Sequence, residues 1–131
     1  MNLPAILIVD DEPDILFTLR KCFSTKDFRV ETAENGCEAI ERINHGSFQV
    51  MILDLNMAPI SGLDVLKALR KVNQETVVII LTAFSTLESA IEAIHLGAFD
   101  YLVKPVDIAH IRNRVTEGMK QYERNHLLTR Q

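Results

Sequence analysis

The sequence predicts an α/β fold: a doubly wound, five-stranded parallel sheet with five flanking helices. Three observations predict it. The runs Ala5-Ile6-Leu7-Ile8-Val9, Val50-Met51-Ile52-Leu53 and Val77-Val78-Ile79-Ile80-Leu81 are apolar at every position, the pattern of strands buried on both faces. Between and after them, apolar residues recur three and four apart, the pattern of amphipathic helices. The two kinds of segment alternate along the chain, and such alternation closes into parallel pairs through right-handed crossovers.

In chain order, Ala5 to Val9 is the first strand, and Ile15, Leu16, Leu19 and Phe23 mark the first helix. Phe28-Arg29-Val30-Glu31-Thr32 alternates apolar with polar, which suits an edge strand. Ala39, Ile40 and Ile43 give the second helix, Val50 to Leu53 the third strand, and Val65, Leu66, Leu69 and Val72 the third helix. Val77 to Leu81 is followed by a helix carrying Leu87, Ile91 and Ile94, then by the short strand Asp100-Tyr101-Leu102-Val103 and a last helix from near Asp107. The pairs Ser61 with Asp64 and Ser85 with Glu88 have capping-box spacing, placing helix starts after each serine.

At 131 residues the chain has room for one domain. It is 47% hydrophobic and 24% charged, whereas disorder would require low hydrophobicity and high net charge. The 14 basic and 18 acidic residues leave a net charge of −4, a poor footprint for a phosphate backbone, so direct nucleic-acid binding by this domain is not expected. No apolar run approaches the roughly 20 residues needed to span a bilayer. Met1-Asn2-Leu3-Pro4 does not begin a secretory leader, and the expected location is cytoplasmic. In that compartment Cys22 and Cys37 are expected as small core fillers rather than a disulfide. His45, His95, His110 and His126 have no metal-ligand spacing and are expected at the surface; Met51, Met57 and Met119 are expected to fill packing.

The chemistry lies where polar residues end the strands. In open α/β sheets ligands bind outside the carboxyl ends of the strands. Here the first strand ends in Asp10-Asp11, the third in Asp54, the fourth in Thr82 and the fifth in Lys104. Like charges about 4 Å apart repel by roughly 4 kcal/mol at an effective dielectric near 20, so three carboxylates beside one ammonium call for a divalent cation. Mg²⁺ suits the corner, because it takes one or two carboxylates together with phosphate oxygens. Thr82 and Lys104 offer a hydroxyl and a positive charge to phosphoryl oxygens while a carboxylate acts as nucleophile. An aspartyl phosphate is the natural product, and the residues alone do not rank Asp54, Asp10 and Asp11 as its site. Asp11 has a second reading, as a cap on the first helix with Pro13 in the first turn.

Val9-Asp10-Asp11, Asp54-Leu55-Asn56-Met57, Thr82-Ala83 and Tyr101-Leu102-Val103-Lys104-Pro105, in that order, resemble the receiver domain of two-component response regulators, over about residues 4 to 120. The resemblance implies the strand order 2-1-3-4-5. It implies that Asp54 accepts a phosphoryl group from a sensor histidine kinase or phosphotransfer protein, and that Mg²⁺ is held by Asp11, Asp54 and the backbone carbonyl of Asn56, with Asp10 in support. Thr82 and Lys104 would contact the phosphoryl oxygens, and Tyr101 would turn inward as Thr82 moves. Such a domain speeds its own phosphorylation and dephosphorylation without turning over an external substrate. The sequence departs from the family at Ala58, since proline usually follows the methionine and here Pro59 comes one residue later; an altered loop is expected, with phosphorylation retained.

Two other functions fit less well. A phosphohydrolase with an aspartate nucleophile typically carries Asp-x-Asp, and position 56 is Asn. A flavin module needs a Ser-, Thr- and Gly-rich phosphate loop after the first strand, where Asp10-Asp11-Glu12-Pro13 stands.

Two further expectations concern the margins. Phe84, two residues after Thr82, would shield an acyl phosphate from water and lengthen its life. From Asp107 to Thr129 an unbroken helical stripe would run roughly 34 Å, longer than a strand of about 17 to 20 Å. Residues 1–120 are thus expected as the receiver domain. The polar tail Gln121 to His126 should stand clear of the core, within an extension, 121–131, that connects to an output domain beyond Gln131 or forms a homodimer stem.

Overall fold

A computed structural model describes residues 3–83 and 85–129 of the chain. Its elements are β1 (Ala5–Val9), α1 (Pro13–Phe23), β2 (Arg29–Ala33), α2 (Gly36–His45), β3 (Val50–Leu53), α3 (Gly62–Val72), β4 (Val77–Thr82), α4 (Leu87–His95), β5 (Asp100–Val103) and α5 (Ile108–Thr129). The strands form one parallel sheet in the order β2-β1-β3-β4-β5, the expected fold. β2 starts one residue later than its alternation suggests, since the pairing with β1 begins at Arg29 opposite Ala5; Phe28, just before it, packs edge-on against Phe23 with ring centroids 6.3 Å apart.

The continuous apolar runs are explained by what each residue parity meets. Successive side chains of a strand point to opposite faces. Leu7, Val9, Met51, Leu53, Val78 and Ile80 join a cluster with α2 and α3, whereas Ile6, Ile8, Val50, Ile52, Ile79 and Leu81 join one with α1 and α5. Each fully buried aliphatic side chain stabilises the fold by about 1.5–3 kcal/mol relative to exposure, so β1, β3 and β4 form a rigid slab. Among the described residues, no helix is long and apolar enough to cross a membrane.

The helix starts follow local chemistry, with one shift of frame. Ser61 and Asp64 form the expected capping box on α3. On α4 the box is Thr86 with Ser89, one residue beyond the expected Ser85 and Glu88. Both pairs have the same spacing, and in the realised frame the third helical side chain also meets Tyr101. α1 begins after Glu12 with no side-chain cap, which removes the capping role from Asp11.

Several surface expectations change. Cys22 is half-buried against the α1–α5 cluster, but Cys37 is exposed and fills no core. His45, His95 and His110 are exposed; His126 is not, because its Nδ1 pairs with Glu75 at 2.9 Å and its ring stacks on Tyr122 at 5.8 Å. The α5 tail therefore stays on the domain further than its polarity suggests: Tyr122 packs on the core, and Asn125 Nδ2 donates to Glu75 O at 3.3 Å. Polar side chains here find polar partners on the segment entering β4. Leu127 and Leu128, at the tail's end, are 61% and 71% exposed.

Candidate functional site

Backbone register carries the site. Val9 pairs with Leu53, Leu53 with Ile80, and Thr82 with Val103. The ladder then continues one residue past three strand ends. Asp10 N–H donates to Ala33 O at 3.1 Å, Asp54 N–H to Val9 O at 2.9 Å, and Lys104 N–H to Thr82 O at 2.9 Å. Asp10, Asp54, Thr82 and Lys104 thus reach one edge of the sheet, as the sequence predicts.

Asp10 and Asp54 are buried, at 2% and 3% exposure, and buried carboxylates persist only when paired and hydrogen-bonded. Lys104 Nζ supplies the pairing, 2.7 Å from Asp10, 3.6 Å from Glu12 and 3.8 Å from Asp54. Two backbone donors complete it: Glu12 N–H bonds Asp10 Oδ1 at 2.9 Å, and Asn56 N–H bonds Asp54 Oδ1 at 3.2 Å. Burial raises the Asp10 carboxyl above its ordinary value, and the neighbouring Asp54 charge adds to this against the pull of Lys104 and Glu12 N–H. For Lys104, burial works against the charge, but the Asp10 hydrogen bond and the charges of Asp10, Asp54 and Glu12 outweigh it and hold the ammonium above its ordinary 10.5.

That direction fixes a pH dependence. A raised lysine contributes stability that is present below its unfolded value and lost as pH rises through the folded one. Lys104→Met should therefore flatten the fall in stability above pH 10.5 relative to the parent. Urea unfolding at pH 9 to 12 measures it, and parallel alkaline limbs would contradict the pairing.

Thr82 is fully buried. Tyr101 is half-buried, with its hydroxyl 3.2 Å from Ser89 Oγ. Asp11 and Asn56 are exposed beside the buried pair. Among the described residues, the group of three carboxylates whose oxygens all lie within 4.8 Å of one another is Asp10, Asp11 and Glu12, and Asp54 is linked to it through the Lys104 ammonium. Glu12 and Ser89 escaped the sequence reading. Glu12 had a signal, its position directly after the aspartate pair; Ser89 had only its spacing from Thr86. The donors are all oxygens in carboxylate excess, which fits a hard divalent cation. The Ala58–Pro59 peptide bond is cis, and Gly62 N–H closes the loop on Leu55 O at 3.1 Å. The shielding expected of Phe84 lies outside the described residues.

A second concavity, about 560 Å³, lies at the opposite edge of the sheet between the C-terminal ends of α3 and α4. Its Arg70 donates to the carbonyls of Leu96, Asn73, Thr76 and Gly97. That guanidinium is consumed in joining two helices to β4.

A family model described as the response regulator receiver domain matches residues 6–116. The chain is 35% identical over 112 residues to transcriptional regulatory protein PrrA of Mycobacterium tuberculosis, covering 86% of this chain and 48% of that protein. It is 37% identical over 115 residues to regulatory protein AtoC of Escherichia coli, covering 88% of this chain and 25% of that protein. The chain thus spans about a quarter to a half of the length of these relatives. Among solved structures it is similar to response regulator protein TrrA from Thermotoga maritima in complex with Mg(2+)-BeF, at 34% identity and a TM-score of 0.78, covering 88% of this chain and 99% of that one. It is also similar to a CheY-like receiver domain protein from Methanospirillum hungatei, at 25% identity and a TM-score of 0.90, covering 94% and 98%. Because the family match runs from β1 into α5 and includes all four polar strand ends, the chain belongs to the response regulator receiver domain family.

Proposed function

We propose that Asp54 is the phosphoacceptor. The observation that carries this reading is the Lys104 ammonium held between Asp10 and Asp54 at the carboxyl edge of the sheet. A carboxylate oxygen of Asp54 attacks the phosphorus of a phosphohistidine on a sensor histidine kinase or phosphotransfer protein. The P–N bond breaks, a P–O bond forms, and the imidazole leaves with its electron pair. Lys104 and the Thr82 hydroxyl meet the phosphoryl oxygens, so the protein contributes positioning and charge neutralisation. Asp11, Asp54 and the Asn56 carbonyl, with Asp10 in support, would hold Mg²⁺, which would supply positive charge that offsets the phosphoryl group's own. No external substrate is turned over.

The output is a population shift, in which the phosphoryl group favours one arrangement of Thr82 and Tyr101 over another. Residues 121–131 serve as the connector to an output domain or as a homodimer stem, a reading supported by the exposed Leu127 and Leu128. The test is direct: with Mg²⁺ and acetyl phosphate, the protein should gain one phosphoryl group by intact mass, labile to hydroxylamine. No gain at millimolar donor would refute the reading.

A further inference from the structure

Glu12 stands where a helix cap belongs and does not cap. It is the N-cap residue of α1, with φ −92° and ψ 112°, Pro13 follows it in the first turn, and its side chain makes no cap hydrogen bond. Ser, Thr, Asp and Asn serve that position because a short side chain returns an oxygen to the N–H of the second or third helical residue. Glutamate is one methylene too long for this and reaches elsewhere. Its backbone is fixed on both sides, since its N–H donates to Asp10 Oδ1 at 2.9 Å and its carbonyl accepts from the Ile15 and Leu16 N–H groups at 3.1 and 3.2 Å. The carboxylate turns to the site, where Oε1 lies 3.6 Å from Lys104 Nζ. Lys104 is thereby shared between two buried carboxylates, Asp10 and Asp54, and one whose side chain is 56% exposed.

We propose that Glu12 is a positioning residue that acts through Lys104: from the solvent edge of the site it draws on the ammonium that must meet the phosphoryl oxygens, and so slows the phosphorylation of Asp54. This deepens the functional reading above and rests on it. An ammonium has three N–H donors, and in the resting site three carboxylates share them. Only an interaction that is stronger in the transition state than before it speeds a reaction. The Glu12 contact is already made before the donor arrives and is stretched when the ammonium turns to the phosphoryl oxygens, so it acts in the opposite sense. Asp10 differs, because it grips the same ammonium from the buried side, at 2.7 Å, and also supports the metal. The start of α1 thus gives up a side-chain cap, and the site gains a restraint on how readily it is phosphorylated.

Uptake of a phosphoryl group from acetyl phosphate, followed by intact mass on the full chain across a range of Mg²⁺ concentrations, tests this. Glu12→Gln should raise the uptake rate about two- to fivefold at low salt, the range of an ion pair open to solvent. The ratio to the parent should fall to about one at 1 M salt, where the Debye length is about 3 Å. Glu12→Asp decides how the charge acts. It keeps the charge at the mouth of the site, withdraws it from Lys104 and offers α1 the cap it lacks, so it should match Glu12→Gln in rate and raise the melting midpoint by about 2 to 5 °C. A Glu12→Asp rate equal to the parent's would mean that the charge merely repels the anionic donor. A lowered rate in Glu12→Gln that more Mg²⁺ restores would place Glu12 on the metal. Either result overturns the proposal, as does an unchanged rate in Glu12→Gln or an unchanged midpoint in Glu12→Asp. The pairing also has a readout apart from uptake. In urea unfolding at neutral pH and low salt, Glu12→Gln and Lys104→Met should be coupled by about two- to fivefold in the unfolding constant, and strictly additive effects overturn it. Absence of uptake in the parent would instead defeat the assignment of Asp54, and the unfolding cycle would still decide the pairing with Lys104.

Discussion

Asp54→Asn should take up no phosphoryl group from acetyl phosphate and Mg²⁺, and should be at least as stable as the parent. Asparagine keeps an oxygen for the Asn56 N–H, which bonds Asp54 Oδ1 at 3.2 Å, and it fits the same buried volume. What it lacks is the anionic nucleophile. It also removes one of two buried negative charges, and the Asp54 charge is among the causes that raise the Asp10 carboxyl, so loss of repulsion should offset loss of the 3.8 Å approach to Lys104. An acid whose value is raised by folding makes the fold less stable as pH climbs through its window above 3.8; relieving that repulsion should shrink the loss. Asp10→Asn separates the candidates. It removes the partner that holds Lys104 most closely, at 2.7 Å, so labelling should slow and yet persist. Intact mass before and after hydroxylamine reads both variants. Labelling retained in Asp54→Asn and lost in Asp10→Asn would move the acceptor to Asp10.

How much of this was legible in the sequence depends on the range of the interaction. Strands covered on both faces announce themselves, because every residue from Ala5 to Val9 must be apolar when odd positions meet α2 and α3 and even positions meet α1 and α5. Residues one step past such strands inherit their place from the ladder, which is why Asp10, Asp54 and Lys104 could be placed on one edge. Interactions between elements leave weaker traces. Thr86 with Ser89 and Ser85 with Glu88 satisfy the same spacing, and only the realised pair also touches a side chain on β5, a contact that local spacing does not encode. The polar tail of α5 looks solvent-bound until Glu75 is found beneath it. Glu12 looks like a helix-start acid until Lys104 reaches it at 3.6 Å.

Gly62→Ala should have the largest effect on stability of any single methyl added to a glycine here. Gly62 opens α3, and a Cβ on it would lie 2.2 Å from the carbonyl oxygen of Asp54 and 2.6 Å from Leu55 Cα. Both are backbone atoms on the loop that carries the site, so no side chain can turn aside, and either α3 or the Asp54 peptide must move. Overpacking of this kind costs about 1–3 kcal/mol and occasionally more. At roughly 4 °C or more of melting temperature per kcal/mol for a domain near this size, the midpoint should fall on the order of 10 °C. Gly46→Ala is the control, because its Cβ would meet nothing nearer than Arg42 O at 3.5 Å, and its midpoint should stay within a degree or two of the parent, allowing for small backbone-entropy effects. The two variants also separate folding from chemistry. Any yielding of the Asp54 peptide shifts the carboxylate against Lys104 and strains the Asn56 N–H bond, so phosphorylation of Gly62→Ala, measured well below its midpoint, should be slower than that of Gly46→Ala. A lowered midpoint with an unchanged phosphorylation rate would mean that α3 moves and the Asp54 loop does not; an unchanged midpoint would mean that the close approach of α3 to Asp54 is not what fixes the loop.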